Sequence, residues 1–475
     1  MRFWNQRAEL DVLLNTDRQV TSLISTMKDR RLRSMEAGAR AMEPESSPST
    51  SSSDARVSVD SSMTSDAAQD CQPLDALISD ADSINADAPQ NCQLPDASTS
   101  DADSINGDAP QDRQPLDAST SVDIPWLFKG HDVTKYFQIY RSAARTLITK
   151  HKKLPPESYI NELAALTHVL VINKHQHSPL AMKIFPPCLL DDLAASLCQE
   201  SIDLDIEFDD EHFLTLTKIV TQLSMGTASR DDTFENLIVM AAKFNYCQKR
   251  VIRAIANLVQ KLPTTPLKDN SVIGENELCN TYHDPILSSL ISDPDRQVHL
   301  RWTNTLPAGE GGKSRPDVIL SEKRQLQYET TIGHGEAKRF QGSASNFNLC
   351  MDTLRLIIFN KNAIDVNTLN AAIAFQIHGF SITFFLARLV ASGTYVYYEI
   401  ARFRLPQSLE DLHTFVTLKN LKLLLAVNDV VWRLCKRSDN PHSISSWYRE
   451  TLPGLQDLVE KSKDQTRTCV MHFGQ

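Results

Sequence analysis

Residues 315–338 read RPDVILSEKRQLQYETTIGHGEAK: one apolar run opened by Pro316-Asp317, a polar middle, and a second apolar run closed by Glu336-Ala337-Lys338. The fold turns on whether these two runs lie side by side. PDVILS and LQYETTI are short β-rich stretches, and KRQLQ is the most loop-like segment between them. If they form a hairpin with Asp317 facing Glu336, the turn centres near residues 326–327, inside that polar segment. Side chains alternate along a strand, so Glu336 and Lys338 share a face while Ala337 turns away. Such a hairpin gathers two acids and one ammonium at the same end of adjacent strands.

The surroundings give the hairpin a frame. NELCNTYHDPILSSLI before it has helical periodicity and HLRWTN reads as a strand. NLCMDTLRLIIFNKN after the hairpin is helical, AIAFQIHG, SITFFLARLV and TYVYYEIARFRL are strands, and LEDLHTFVTLKNLKLLLAVNDVVWRLC is helical again. The order helix, three strands, helix, three strands, helix predicts an α+β domain around a mixed sheet over residues 271–437, followed by a tail at 438–475. Upstream, residues 122–265 carry apolar residues at three- and four-residue spacing throughout, which predicts an all-helical domain. Asp210 and Asp231 are expected as N-terminal caps, and Pro155-Pro156 and Pro186-Pro187 as start signals.

The first 121 residues differ in texture. Residues 1–42 form a short basic segment with helical character. Residues 43–121 hold 16 acidic and 2 basic residues and repeat with a period of 21: DAAQDCQPLDA at Asp66, DAPQNCQLPDA at Asp87, DAPQDRQPLDA at Asp108. These units have too few apolar positions to offset chain entropy, so a disordered acidic linker is expected. The formal charge of −10 therefore belongs mostly to this linker, and the folded part is close to neutral. Nucleic acid is neither excluded as a partner nor advertised by charge. The nine cysteines form no C-x-x-C pair, which suits reduced thiols inside a cell. No secretory signal and no uncharged run of membrane-spanning length occurs, so a soluble protein of nucleus or cytoplasm is expected. KDRRLR (28–33) is read as a solvated helix face before an import signal. Lys249, Arg250, Arg253 and Lys261 make the polar side of one helix, GEGG (309–312) is a strand connection, and the histidines are structural by default.

The chemistry suited to Asp317, Glu336 and Lys338 is metal-assisted phosphodiester hydrolysis. Carboxylate oxygens match Mg²⁺ or Mn²⁺, which keep several waters and bind phosphate as well. Lys338 would orient a water or meet developing charge, with His334 and Arg339 within reach of a phosphate. The plain alternative is a strand that starts at Asp317 beside a solvated Glu336/Lys338 pair. Pro-Asp occurs three times in this chain, so the dipeptide alone decides nothing; the frame does.

That frame and those residues resemble the PD-(D/E)XK, restriction-endonuclease-like nuclease superfamily, whose core is an αββαβ arrangement. More closely, IPWLFKG, YINELAALTHVLVI, MKIFPPCLLDDLAASL, DPILSSLISDPDRQVHLRWTN, SRPDVILS, GHGEAK and FQIHGFSITFFLARL resemble a large family of uncharacterised fungal proteins of early-diverging lineages. The resemblance implies Asp317 and Glu336 as metal ligands and Lys338 as the catalytic lysine. It implies an assisting glutamate on the first core helix, Glu277 with Glu275 as rival. It also implies a polar role for Gln376, which reads equally well as a buried group satisfied within the sheet. The expectation is a Mg²⁺- or Mn²⁺-dependent nuclease. Its rivals are a nuclease fold kept for binding nucleic acid or, through the helical domain, a protein, and a plain scaffold. Nothing in the sequence sets an oligomeric state.

Overall fold

The computed structural model describes residues 125–303, 315–339, 345–461, 467 and 469–473. The readings made for residues 1–42, for the repeats at 43–121 and for GEGG lie outside these residues.

A small hairpin, β1 (Leu127–Phe128) and β2 (His131–Asp132), leads into α1 (Val133–His151), which is capped where the Asp132 side chain accepts the Lys135 N–H. There follow α2 (Pro156–Leu166), β3 (Val169–Val171), α3 (Pro179–Ile184), α4 (Leu189–Ser201), α5 (Asp210–Ser224), α6 (Arg230–Ala241) and α7 (Tyr246–Lys261). The caps fall slightly upstream of their expected positions. Asp209 caps α5, and Ser229 caps α6 in a reciprocal arrangement with Asp232, leaving Asp210 and Asp231 in the first turns. All-helical is also too strong a description of 122–265, because β1, β2 and β3 lie within it.

The second half opens with α8 (Glu275–Glu277), a π-helical segment Leu278–His283 and α9 (Asp284–Ile291), continuous with one another. Then come β4 (Val298–Trp302), β5 (Val318–Arg324), β6 (Gln327–Lys338), α10 (Asn346–Asn367), β7 (Ala372–His378), β8 (Ser381–Ala391) and β9 (Thr394–Arg404). Helices α11 (Leu409–Phe415), α12 (Leu418–Leu434) and α13 (Pro441–Trp447) close the chain. The expected order of helix, three strands, helix, three strands and helix forms, with the last helical stretch divided into α11 and α12 and a further helix, α13, within the residues expected as a tail.

The strands make one mixed, seven-stranded sheet in the order β3-β9-β8-β7-β6-β5-β4. β6 and β7 are parallel, joined by the α10 crossover, and β3 runs parallel to β9 at one edge. Every other neighbouring pair is antiparallel. Between β5 and β6, Val318 pairs with Gly335, so Asp317 stands one residue beyond, level with Glu336. The register slips at Leu320/Ser321 and again at Glu322/Lys323, which moves the tight turn to Gln325-Leu326.

Because β3 comes from the helical half, that half is not a separate body. One core runs from Val133 on α1 through the sheet to Met471, and the described residues belong to one compact unit. Residues beyond 437 are likewise packed on it: Val459 bridges to Leu154, and the Val470 N–H donates to the Glu157 carbonyl at 3.0 Å. α10 lies on β6 and β7 with α2 behind it, while α9 packs on α7, α12 and β4. Among the described residues, no helix is long and apolar enough to cross a membrane.

Candidate active site

The site forms where β5 begins and β6 ends. Pro316 supplies no N–H, so the ladder starts at Val318 and leaves the Asp317 side chain at the strand's mouth. There its Oδ2 accepts the Ala337 N–H at 2.9 Å, clamping the two strand ends together. Along β6, His334, Glu336 and Lys338 fall on the face covered by α10. Gly335 and Ala337 fall on the other.

The glycine at 335 is required by close approach. A Cβ there would stand 2.3 Å from the Phe375 ring of β7. That intimacy keeps β6 tight against β7 and holds Glu336 level with Gln376.

The Lys338 ammonium sits among three carboxylates, 3.7 Å from Asp317 Oδ2, 4.0 Å from Glu336 Oε2 and 3.4 Å from Asp352 Oδ2 on α10. It donates to the carbonyl of the preceding residue, Ala337 O, at 3.0 Å. Arg355, one turn beyond Asp352, closes the cluster. Its Nη2 donates to Glu336 Oε2 at 3.0 Å and to Asp352 Oδ1.

Glu336 is only 1% exposed, and that burial decides its chemistry. Burial pushes its carboxyl up to about 9. Arg355 opposes the rise, and Asp352 and Asp317 add to it, Asp317 also as a hydrogen-bond partner for the protonated form. Burial raises Asp352 too, against the pull of Lys338 and Arg355. For Lys338, burial disfavours the charge, yet Asp352, Asp317, Glu336 and Glu275 outweigh it and the pKa rises. Glu336 therefore holds its proton at neutral pH, while Lys338 stays charged. Among the described residues, Glu336 Oε1 is buried and accepts no hydrogen bond.

On the other side of Asp317 opens a cleft of about 200 Å³, lined by Glu275, Asn276, Cys279, Asn280, Trp302, Thr303, Asp317 and Ala337. Of the two glutamates expected on the first helix, Glu275 is the one at this cleft. Burial raises its carboxyl, with Lys338 opposing and Asp317 and Asp352 adding, so it belongs to the same electrostatic cluster. Glu277 is exposed and does not line the cleft; its charge acts on Tyr282 instead. Both glutamates are exposed, and Glu275, one turn before the cleft-lining Cys279, is the one that borders the cleft.

Two other expected residues are spent on structure. The Gln376 Nε2 donates to Leu349 O at 2.9 Å and its Oε1 accepts from Thr353 Oγ1 at 2.8 Å, both on α10, so its amide braces the crossover. His334 is fully buried with Nδ1 against Asn360 Oδ1 at 2.9 Å, and burial lowers its pKa to about 4, so it does not face a phosphate. Arg339 is exposed at the end of β6. The sequence reading missed Asp352 and Arg355. Their only signal is a pair of opposite charges three residues apart, on a helix that carries another opposite-charge pair at Lys361 and Asp365.

Among the described residues, no group of three or more His, Cys, Asp or Glu side chains is arranged to hold a metal ion. Comparison of the chain with protein-family models, curated proteins and solved structures finds no match.

Proposed function

We propose that this protein is a divalent-metal-dependent nuclease of the restriction-endonuclease-like kind, hydrolysing nucleic-acid phosphodiester bonds at Asp317, Glu336 and Lys338. The observation that carries the proposal is the convergence of these three side chains on one end of the β5–β6 hairpin, beside an open cleft. The mixed sheet, with its helical segment before the hairpin and its α10 crossover after it, supports the same reading.

The residues fit Mg²⁺ or Mn²⁺. Both acids offer hard oxygen donors, Glu336 Oε1 is buried and accepts no hydrogen bond among the described residues, and the proton that burial keeps on Glu336 is one a cation could displace. Two protein carboxylates suffice for an ion that keeps most of its waters and binds substrate phosphate directly. Asp317 and Glu336 would hold it, and it would supply a more acidic water and charge neutralisation at the phosphate. Lys338, held protonated by its acidic neighbours, positions the water and meets charge developing on the phosphate oxygens. Glu275 sits across the cleft as an acceptor for a water proton, and Arg355 balances Glu336 and Asp352 from α10.

One observation favours a second reading, a nuclease fold kept for binding. Arg355 already pairs with Glu336, and Lys338 lies within ion-pair distance of all three neighbouring carboxylates, so the cluster is substantially neutralised from within. The test uses the full chain on single- and double-stranded DNA and on RNA with Mg²⁺ or Mn²⁺, beside Asp317→Asn and Lys338→Ala. Metal-dependent cleavage by the parent, abolished by chelation and reduced by about a hundredfold or more in each variant, is expected. A folded parent that cuts nothing with either metal overturns the nuclease proposal. If it still binds nucleic acid, the second reading replaces the first.

A further inference from the structure

Away from the carboxylate cluster, Cys350 on α10 and Cys469 near the C-terminus bring their sulfurs to 3.2 Å. The two thiols differ in access. Cys350 is fully buried, whereas Cys469 is half-buried and lines a cleft of about 410 Å³ with Tyr159, Leu180 and Val470. Two hydrogen bonds to the backbone hold the C-terminal segment in place beside α10 and α2. The Val470 N–H donates to Glu157 O at 3.0 Å, and Asn346 Nδ2 at the start of α10 donates to Arg467 O at 3.0 Å. The hydrogen bond between the thiols lowers the pKa of Cys469 and raises that of Cys350, so the outer sulfur is the better thiolate. Beside them lies Glu157, fully buried, whose charge is felt by both thiols. Neither of its carboxylate oxygens has a hydrogen-bond partner among the described residues.

We propose that Cys350 and Cys469 form a peroxide-reactive dithiol, with Cys469 as the attacking thiol and Cys350 as the resolving one. The Cys469 thiolate attacks one oxygen of a hydroperoxide. The O–O bond breaks, a sulfenic acid forms on Cys469, and the other oxygen leaves as an alcohol, or as water when the oxidant is hydrogen peroxide. The Cys350 sulfur then displaces the sulfenic hydroxyl as a second water, giving the S–S bond. Two thiols have lost two electrons to the peroxide, and their protons leave in the product hydroxyls. Cys469 needs the cleft to meet the oxidant, and Cys350 needs only the sulfur beside it. The pair is independent of the nuclease reading, because neither thiol takes part in the Asp317 cluster.

The test treats the reduced full chain with hydrogen peroxide, blocks remaining thiols with iodoacetamide and maps peptides by mass spectrometry. Expected is a disulfide-linked pair of peptides holding Cys350 and Cys469, formed before exposed Cys188 is oxidised and reversed by dithiothreitol. With Cys350→Ser, Cys469 is captured by dimedone as a sulfenic acid. With Cys469→Ser, Cys350 stays a thiol. Recovery of both cysteines as thiols while Cys188 is oxidised, or linkage of Cys469 to any other cysteine, overturns the proposal.

Discussion

Glu336 shows how one buried carboxyl can dominate a site. Solvation by Arg355 does not compensate for the water it has lost, so it titrates near 9 instead of its ordinary 4.5. A carboxyl with a raised native pKa binds its proton more tightly when folded. Its contribution to stability is complete below the unfolded value and is lost as pH rises toward the folded one. Asp352, also raised, acts in the same direction. Urea melts of the parent should therefore lose stability between about pH 5 and pH 9 relative to Glu336→Gln, by on the order of a few kcal/mol. A gap between parent and variant that is the same at both ends of that range would contradict the burial argument. Part of this chemistry was legible in the sequence. Strand alternation links Glu336 to Lys338, and the hairpin links both to Asp317. Asp352 and Arg355 were not legible, because a charged pair on a helix ordinarily marks the solvent side. Only the packing of α10 on β6 turns that side inward.

Between elements, the decisive contact is that of β6 with β7. The Gly-His-Gly stretch lets β7 side chains lie across the β6 backbone, and Gly335→Ala would drive a methyl into the Phe375 ring. Phe375 is itself packed, tilted at 45°, against Phe384 on β8, with centroids 5.9 Å apart, so it has little room to yield. A loss of about 1–3 kcal/mol, read as a lower urea midpoint, is expected; an unchanged midpoint would mean that the two strands separate more easily than their register suggests. The order of helices and strands was readable because each carries its own period. The choice between Glu275 and Glu277 was not, since it depends on which side of a short, partly π-helical segment faces the sheet. Gln376 sits level with Glu336, as strand pairing requires, yet its amide is used by Leu349 and Thr353. Sequence gives the position of such a residue but not the partners that use up its hydrogen bonds.

For the whole molecule, a boundary near residue 265 is visible in composition and invisible in packing. β3 takes its hydrogen bonds from β9, more than two hundred residues away, and α7 packs on α9 and α12. Three residues of strand leave too weak a local signal to be read, and their partner is set only by the finished sheet. Unfolding of the full chain should therefore be a single transition, with tryptophan fluorescence coinciding with far-ultraviolet circular dichroism. Trp126, Trp302, Trp432 and Trp447 sample both halves. Two separated transitions would restore the picture of independent domains.

The hairpin that carries Asp317 and Glu336 also has a division of labour along its length. Its mouth is fixed by the Asp317–Ala337 hydrogen bond, while its tip, where Leu326 is 92% exposed, lies beyond two slips in register. Those slips act as slack. A change in the length or sequence of the tip can be absorbed there before it reaches the carboxylates. The distal end of this hairpin is thus free to diverge, or to accept a grafted peptide, at a rate the end that carries the carboxylates is not.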